Sequence, residues 1–374
     1  MSDWQKEILV KQSVVFNGKF YNAPSTGVQR VAREIISALN TLMDDDKPNS
    51  LTEISICRPP AVAKTRAKRS RFQTVVGKIY SDIIWEQFRL YIYARRSILV
   101  NLCNVGPVLH RRSVTMIHDA QVYITPQSYA LAFRLWYKWL QPHLGKSSLK
   151  ILTVSEYSKQ QLVEYGVADK EKIVVIYNGI DHILYIDANT AFVASAGLAG
   201  QDFVLTLSST QKHKNIGVLF KAFAAPELAD SKLVLFGSAT REEFEKLGHH
   251  VPPNAVFLGR VSDGDLVALM TAASAYACPS LTEGFGMPPL EAMALGCPAI
   301  IAPCGALPEV CGGHALLADP DKPSEWATQI GKAIDKGADI VALQQSGRAH
   351  ALTFTWARAA RSLRAVLDEV GSQR

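Results

Sequence analysis

The chain has 374 residues, of which 48% are hydrophobic and 20% are charged, and its formal net charge is +6. This composition is typical of a globular protein and excludes a disordered or fibrous chain. The length exceeds the size at which a single hydrophobic core usually stops growing. It therefore predicts two domains, with a ligand site in the cleft between them.

The sequence shows no recognisable export signal or membrane span. Residues 1–11 lack an apolar core with a small-residue cleavage site, and no run of about 18 apolar residues occurs. We therefore expect a cytoplasmic protein. In that reducing compartment the six cysteines, which form no CxxC pair, are expected to be small core residues rather than disulfides or zinc ligands.

Short apolar runs alternate with amphipathic helical stretches, a pattern typical of α/β domains with mostly parallel sheets. Turn-forming residues 177–181 and the aperiodic segment 187–201 place a linker near residues 180–200. The last predicted helix, residues 356–370, has an apolar stripe that must be buried against another element. The predicted strands before the linker are 8–15, 113–117, 151–154 and 173–176, and those after it are 203–207, 232–236, 256–258, 275–277 and 299–301.

A turn rich in glycine and proline, residues 283–291, is the most specific signal in the chain. It follows the buried strand 275–279 and opens a helix, so it places a helix N-terminus at the carboxyl edge of a parallel sheet. The free backbone N–H groups of such an N-terminus suit a diphosphate, and Gly284 and Gly286 let the backbone approach a ligand closely.

Two carboxylates, Glu283 and Glu291, bracket this turn. Each can accept hydrogen bonds from sugar hydroxyls, one from a transferred sugar and one from a ribose. The alternative for Glu291 is that it only stabilises the start of its own helix, an effect of about 0.5 kcal/mol.

The spacing Glu283-x7-Glu291, with Gly284, Gly286 and Pro289 between, resembles the E-x7-E signature of retaining GT-B glycosyltransferases of family 4 (GT4, glycosyl transferases group 1). Further segments match that family in the same order and extend over nearly the whole chain. They are residues 25–30, 117–119, 154–159, 176–181, 213–215, 258–261 and 307–310.

The resemblance implies a GT-B fold, in which two Rossmann-like α/β domains face a central cleft. Residues 1–185 would form the N-terminal, acceptor-binding domain, and residues 186–352 the domain that binds the nucleotide sugar. Residues 353–374 would form a helix that crosses back and packs on the N-terminal domain, which gives its apolar stripe a destination.

Site residues are also implied by the resemblance. His118, Asp119 and Glu283 would be catalytic, with His118 contacting the donor sugar and Glu283 holding its hydroxyls. Lys214 would pair with the donor diphosphate, a role that suits a compact charge with three donors, and Glu291 would bind the ribose. The other donor-binding residues implied are Gly27, Ser208, Ser209, Gly237, Arg260, Val261, Phe285, Gly286 and Met287, of which Arg260 and Val261 would lie against the nucleobase.

Three of these residues have ordinary structural alternatives. A lone histidine such as His118 at a strand end is often a core residue with a satisfied ring. Lys214 is also consistent with a solvated lysine at a helix start, and Gly27 with an ordinary strand-to-helix turn. The sequence departs from the family where an arginine often precedes the lysine, because Ser208 and Ser209 stand there. Compensation by Lys212 or His213 and weaker donor binding are both open.

The implied reaction transfers a glycosyl group to an acceptor hydroxyl with retention of anomeric configuration. Attack and departure on the same face, with the departing diphosphate helping to deprotonate the acceptor, is the working hypothesis. No cofactor or metal is expected; residues 44–46, three aspartates, are interpreted as a solvated loop after the first helix. A loose likeness of residues 27–31 and His118 to bacterial polysaccharide mannosyltransferases favours GDP-mannose as donor, with UDP- and dTDP-sugars as alternatives.

Residues 58–72 carry six cations and no acid. They form either a solvated loop or a patch that binds anionic lipid, which attracts each nearby basic residue by about 1 kcal/mol. The second interpretation predicts a peripheral protein on the inner face of the plasma membrane that acts on a polyprenyl-diphosphate-linked glycan. No nucleic-acid partner is expected, because no binding motif accompanies the charge.

Three other functions share parts of this pattern. A GT-B sugar-nucleotide epimerase would act on the nucleotide sugar alone. A non-catalytic scaffold at the membrane would bind a nucleotide sugar without transferring it. A two-domain sugar-binding protein has the same bilobed plan, but it would normally need an export signal.

Overall fold

The computed structural model describes residues 12–23, 26–45, 51–59, 73–76 and 82–372. Its strands form two separate sheets, each entirely parallel. Parallel strands need crossover connections, and helices supply them here, so each sheet is covered by helices in a Rossmann-like arrangement. This arrangement confirms the α/β prediction.

The first sheet has seven strands in the order β3-β2-β1-β4-β5-β6-β7. Its central strands are short and apolar, which is typical of strands buried on both faces. The strands are β1 (Gln12–Asn17), β2 (Leu51–Arg58), β3 (Gln73–Val76), β4 (Ile98–Asn101), β5 (Ser113–Met116), β6 (Lys150–Thr153) and β7 (Ile173–Val175).

The second sheet has six strands in the order β10-β9-β8-β11-β12-β13. In each sheet the strand order therefore switches beside the first strand, between β1 and β4 and between β8 and β11. In open α/β sheets, ligands bind at such a switch point, outside the carboxyl ends of the strands. The strands are β8 (Phe203–Ser208), β9 (Lys232–Gly237), β10 (Ala255–Gly259), β11 (Ala275–Cys278), β12 (Ala299–Ile301) and β13 (Leu316–Leu317).

Helices of very different length connect these strands. The helices of the first part are α1 (Gly27–Asp45), α2 (Asp82–Ile84), a π-helical segment (Trp85–Leu90), α3 (Tyr91–Ala94), α4 (Gln121–Ile124), α5 (Leu131–Ser147) and α6 (Glu156–Glu164). Those of the second part are α7 (Thr190–Ser195), α8 (Ile216–Ala222), α9 (Arg241–Lys246), α10 (Asp263–Ala272), α11 (Met287–Ala294), α12 (Leu307–Cys311), α13 (Pro323–Asp335), α14 (Ala338–Ala351) and α15 (Trp356–Ser372).

Some elements differ from the sequence-based expectations. The strands β2, β3, β4 and β13 were not predicted, and α7 lies within the segment that was expected to be a plain linker. Six residues are too few for a helical period to stand out. The first helix also continues through Asp45, so two of the three aspartates at 44–46 belong to it rather than to a loop; the third lies outside the described residues.

The last helix, α15, crosses back to the first sheet's domain, as predicted, and packs against α1. Its start is fixed at the end of β7, where Asp181 Oδ1 accepts a hydrogen bond from the Trp356 backbone N–H at 2.8 Å. Gly179 makes this contact possible, because a Cβ atom there would lie 2.2 Å from Trp356 N. Among the described residues, no helix has both the length and the apolar character to cross a bilayer.

Candidate active site

A cavity of about 260 Å³ lies between the two sheets, at the carboxyl ends of β8 and β11. One wall comes from the first sheet's domain, through the start of α1 and the residues after β5 and β6. The other wall comes from the second sheet's domain. Eight of the predicted site residues line the cavity: Gly27, His118, Asp119, Lys214, Glu283, Phe285, Gly286 and Met287.

Lys214 and Glu283 form an ion pair in this cavity, with Nζ 2.7 Å from Oε1. The Ser280 hydroxyl donates to the same carboxylate oxygen at 2.7 Å. Burial alone would raise the pKa of Glu283, but the Lys214 ammonium and the two hydrogen bonds hold it below its ordinary value. Burial likewise opposes the charge of Lys214, and Glu283 more than offsets it, so the lysine pKa is raised. Both groups therefore stay ionised at neutral pH.

The helix α11 directs its N-terminus at the cavity. Its cap residue, Gly286, has φ +94°, a conformation that strongly favours glycine. A proline lies in the first helical turn, where a missing N–H costs no hydrogen bond. Phe285, Met287 and Pro288 line the cavity beside it. This end of the helix therefore presents a partial positive charge and backbone donors to an anionic ligand.

His118 and Asp119 face this pair from the end of β5. His118 is 5% exposed, and its Nε2 lies 2.9 Å from the Leu102 carbonyl oxygen. Because a carbonyl oxygen only accepts, Nε2 carries the proton and Nδ1 is the acceptor of the neutral ring. Burial lowers the pKa of His118, which keeps the ring neutral. Burial also raises the pKa of Asp119, and the Glu283 charge acts in the same direction.

The two walls meet closely at Gly284. A Cβ atom there would lie 2.9 Å from Asp119 Cβ. The Gly284 carbonyl accepts hydrogen bonds from the hydroxyls of Ser155 (2.6 Å) and Ser158 (3.0 Å) on the opposite wall. Glycine is thus required here by close approach between the two domains, which brings Asp119 next to the turn that carries Glu283.

Glu291 does not line this cavity. It lies in α11, is 6% exposed, and has its Oε1 3.4 Å from Nε2 of His182. Burial raises the pKa of Glu291 to about 7, although the Arg30 charge opposes the shift. Burial lowers the pKa of His182 to about 4, so that ring is neutral. The carboxyl group consequently has no cationic partner on His182 and is poised to change its protonation state near neutral pH.

The remaining predicted donor contacts lie outside the cavity wall. The Ser208 hydroxyl donates to the Ala239 carbonyl oxygen at 2.7 Å, and Ser209 accepts from the Gln211 N–H at 3.3 Å. Gly237 has φ +138°, and a Cβ atom there would lie 2.5 Å from the Ser208 carbonyl oxygen. Arg260 is exposed and Val261 half-buried, both just after β10.

The missing arginine is not replaced by His213. That ring is 2% exposed, burial lowers its pKa to about 4, and its Nδ1 lies 3.2 Å from the Ser128 hydroxyl. Lys212 is exposed and does not line the cavity. Of the described residues in the cavity wall, Lys214 alone carries a permanent positive charge.

Several residues at the site were missed by sequence reasoning. Asn178 is 3% exposed and lines the cavity, and its Oδ1 accepts no hydrogen bond from the described residues. That oxygen is therefore available to a ligand donor. Arg30 Nη2 lies 2.6 Å from Asp263 Oδ1, which joins α1 to α10. Asn178 and Arg30 lie in segments that match the family, but the sequence did not indicate which groups they would contact.

The basic run at 58–72 is mostly outside the described residues. Its first member, Arg58, ends β2 and is 8% exposed. The Arg58 guanidinium carbon lies 4.6 Å from the centroid of the Tyr21 ring, a cation–π contact. Arg58 is thus part of the packed domain rather than of a solvated loop, while residues 60–72 lie outside the described residues.

Two family models match the chain. "Glycosyltransferase Family 4" matches residues 51–183, and "Glycosyl transferases group 1" matches residues 190–350. The O-antigen chain mannosyltransferase RfbU of Salmonella typhimurium is 26% identical over 286 residues, which cover 75% of this chain and 77% of that protein. The O-antigen chain mannosyltransferase B of Escherichia coli is 29% identical over 256 residues, or 66% and 67% of the two chains.

Solved structures share the fold at low sequence identity. Sucrose-phosphate synthase from Thermosynechococcus elongatus superposes with a TM-score of 0.72 at 16% identity, covering 97% of this chain and 100% of that chain. HepE from Anabaena, solved with UDP and glucose, also gives 0.72 at 18% identity over 96% and 100% of the chains. The two-sheet architecture, the ordered motifs and the two family matches agree: the chain is a GT-B glycosyltransferase that belongs to family 4, and it resembles the O-antigen mannosyltransferases.

Proposed function

We propose that this enzyme transfers mannose from GDP-mannose, with retention of configuration, to a hydroxyl of a lipid-linked glycan during polysaccharide synthesis. The observation that carries the proposal is the cavity in which Lys214, Glu283 and the start of α11 face His118 and Asp119. The names of the two relatives support mannose as the sugar. UDP-glucose remains the rival donor, since HepE has been solved with it.

In the proposed reaction the donor diphosphate lies between Lys214 and the N-terminus of α11, which supply positive charge and backbone donors. Glu283 accepts hydrogen bonds from the hydroxyls of the sugar, and the neutral His118 offers Nδ1 to another. Glu291 accepts from the ribose, while Arg260 and Val261 lie against the base. The amide oxygen of Asn178, which has no hydrogen-bond partner among the described residues, is a further contact for a hydroxyl of donor or acceptor.

Group transfer then takes place on one face of the sugar. The bond between the anomeric carbon and the diphosphate oxygen breaks, and its electron pair leaves with the diphosphate. The acceptor oxygen forms the new bond to that carbon from the same side, and its proton passes to the departing phosphate oxygen. Lys214 and the N–H groups of α11 stabilise the charge that develops on the leaving group.

A thermal-shift series with GDP-mannose, other GDP-sugars, UDP-sugars and dTDP-sugars tests the donor, because a ligand that binds only the folded state raises the Tm. We expect the largest shift with GDP-mannose. Transfer is then measured by incubating labelled GDP-mannose with polyprenyl-diphosphate-linked oligosaccharide, and NMR of the product gives the anomeric configuration.

The variant Glu283→Ala should abolish this transfer, and near-normal turnover would reject the assigned role of Glu283. Isomerised nucleotide sugar formed without acceptor would favour an epimerase. Binding of a nucleotide sugar without transfer to any acceptor would favour a scaffold.

A further inference from the structure

Exposed apolar side chains are concentrated in one part of the chain. Of the nineteen large hydrophobic side chains that are exposed among the described residues, ten lie between residues 83 and 139. Phe88 is 59% exposed and Ile92 58%, while Leu131 and Leu135 on α5 are 63% and 62% exposed. We use the name apolar surface for the exposed side chains of residues 83–93 and 131–139.

The helices beneath this surface already have buried inner faces. Trp85 and Leu90 pack with Val15 and Leu99 of the first sheet. On α5, Leu140 and Leu144 are fully buried. A helix at the surface of a water-soluble domain normally pairs one apolar face with a polar outer face. These helices are apolar on the outside as well, which ordinary packing of this domain does not require.

Both parts of the apolar surface belong to neighbouring helices. Tyr137, on α5, lies close enough to Glu86 for that carboxylate to add to the effect of burial, which raises the tyrosine pKa to about 12. The aromatic ring of Tyr91 also packs edge-on against His110, whose loop leads from β4 to β5. The segment 82–94 leads into β4 and α5 leads into β6, so both lie over the first sheet, and they approach each other at Glu86 and Tyr137.

The charge around the apolar surface is mainly positive. Residues 82–147 include eight lysines and arginines but only three acids, Asp82, Glu86 and Asp119. Glu86 is 2% exposed, and Asp119 faces the cavity. An apolar centre with tryptophan and tyrosine and a cationic border complements an anionic lipid surface. A symmetric contact with a second copy would instead place like charges opposite one another.

The apolar surface is connected to the cavity at the start of α5. The Tyr129 hydroxyl lies 3.4 Å from Oε1 of Gln121, a residue of the cavity wall. From there the rings of Tyr129, Phe133 and Tyr137 stack along the helix at centroid distances of 5.5 and 4.1 Å. A lipid-linked molecule held at this surface would thus have its head group near the cavity mouth.

We propose that the apolar surface formed by residues 83–93 and α5 inserts into the headgroup region of an anionic lipid bilayer. This inference rests on the proposed function, because insertion into the bilayer would bring a lipid-linked acceptor to the cavity. It differs from the alternative considered from the sequence, in which residues 58–72 bind anionic lipid.

Sedimentation with vesicles tests the proposal on the full chain. The vesicles contain phosphatidylglycerol and phosphatidylcholine in equal amounts, and pure phosphatidylcholine vesicles serve for comparison. The double variant Phe88→Glu/Leu135→Glu changes one exposed residue on each helix. A matched control, Leu247→Glu/Leu317→Glu, makes the same charge change at residues that are 59% and 51% exposed in the other domain.

We expect the wild-type chain and the control to sediment with the anionic vesicles. The Phe88→Glu/Leu135→Glu variant should lose about 100-fold in vesicle affinity, because it withdraws two apolar side chains from lipid and each withdrawal costs about tenfold. Wild-type chain that stays in solution, equal losses in the two double variants, or a surface variant that binds as well as wild type would each overturn the proposal.

Two further measurements separate this proposal from its rivals. Sedimentation velocity reports self-association: a wild-type dimer that the surface variant dissociates while vesicle binding is unchanged would assign the surface to a second copy. Thermal shift with GDP-mannose reports the donor site, which this surface does not form. Lost vesicle binding with an intact donor shift in the surface variant supports docking, whereas a missing donor shift in every chain counts against the proposed function alone.

Discussion

The carboxylate of Glu309 and the hydroxyl of Tyr177 meet at 2.9 Å across the cleft between the two sheets. Glu309 lies on α12 of the second part of the chain, and the same carboxylate accepts backbone N–H groups of Glu156 (2.8 Å) and Tyr157 (3.0 Å). Those two residues begin α6 in the first part. An acid at a helix N-terminus is favoured by the helix dipole, so Glu309 joins the two domains in the arrangement that encloses the cavity.

Replacing this carboxylate should favour an open arrangement. Glu309→Ala removes three hydrogen bonds to a charged acceptor, and we expect the closed arrangement to lose about 2 kcal/mol. Small-angle X-ray scattering should show a larger radius of gyration, and kcat/KM for transfer should fall. The control Asp263→Asn breaks a more exposed ion pair with Arg30, which is worth less than about 1 kcal/mol. Equal opening in both variants would contradict this role for Glu309.

The raised pKa of Glu291 makes stability depend on pH. The pKa of Glu291 rises from 4.5 to about 7 on folding. Protonation of this carboxyl therefore stabilises the folded state, fully below pH 4.5, and the stabilisation is lost as the pH rises through 7. Glu291→Gln removes the cost of ionising a buried carboxyl. We expect the ligand-free variant to be more stable than wild type by about 3 kcal/mol at pH 8 and nearly equal at pH 4. Urea unfolding at both values measures this; a difference that does not vary with pH would refute it.

Variants of the ion pair between Lys214 and Glu283 should have different effects on stability and on catalysis. Lys214→Met leaves a buried carboxylate without its cation, and we expect a loss of about 3 kcal/mol in stability and of about 100-fold or more in kcat. The double variant Lys214→Met/Glu283→Gln removes the uncompensated charge. It should regain most of the stability but none of the activity. Recovery of turnover in the double variant would show that neither charge acts in the reaction.

Gly179 should tolerate no side chain. In Gly179→Ala the new Cβ atom would lie 2.2 Å from Trp356 N, so the start of α15 must move, at a cost of about 1–3 kcal/mol. Gly331, inside α13, has open space around its Cβ position. Gly331→Ala should therefore be neutral or stabilise the helix by up to about 1 kcal/mol. Urea midpoints compare the two; equal midpoints would mean that α15 shifts without loss of contact.

Metal removal should leave the proposed transfer unchanged. Lys214 and the N-terminus of α11 already provide positive charge and backbone donors for a diphosphate. We therefore expect the same kcat before and after treatment with EDTA, measured with the donor that gives the largest thermal shift. A rate that falls with EDTA and returns with added Mg²⁺ would show that the diphosphate requires a metal ion.

Much of the fold was predictable because its signals are local. Nine strands and the last helix were placed by apolar runs, and the turn at 283–291 by its glycines and prolines. Strand β4 was missed although its four residues, Ile98–Asn101, begin with an apolar run. Strand β2 was missed because polar residues interrupt it. The helix α7 is too short to show a period.

The sequence by itself determined the α/β class, the order of the motifs, and the residues Lys214, Glu283, His118 and Asp119 that line the cavity. Only the tertiary structure decided which groups meet across the cleft. It paired Glu309 with Tyr177, left His213 neutral, removed Glu291 from the cavity wall and brought two apolar helices together on one surface. The physical reason is that strand and turn preferences depend on neighbours in the chain, whereas pKa values, ion pairs and exposed surfaces depend on residues far apart in sequence.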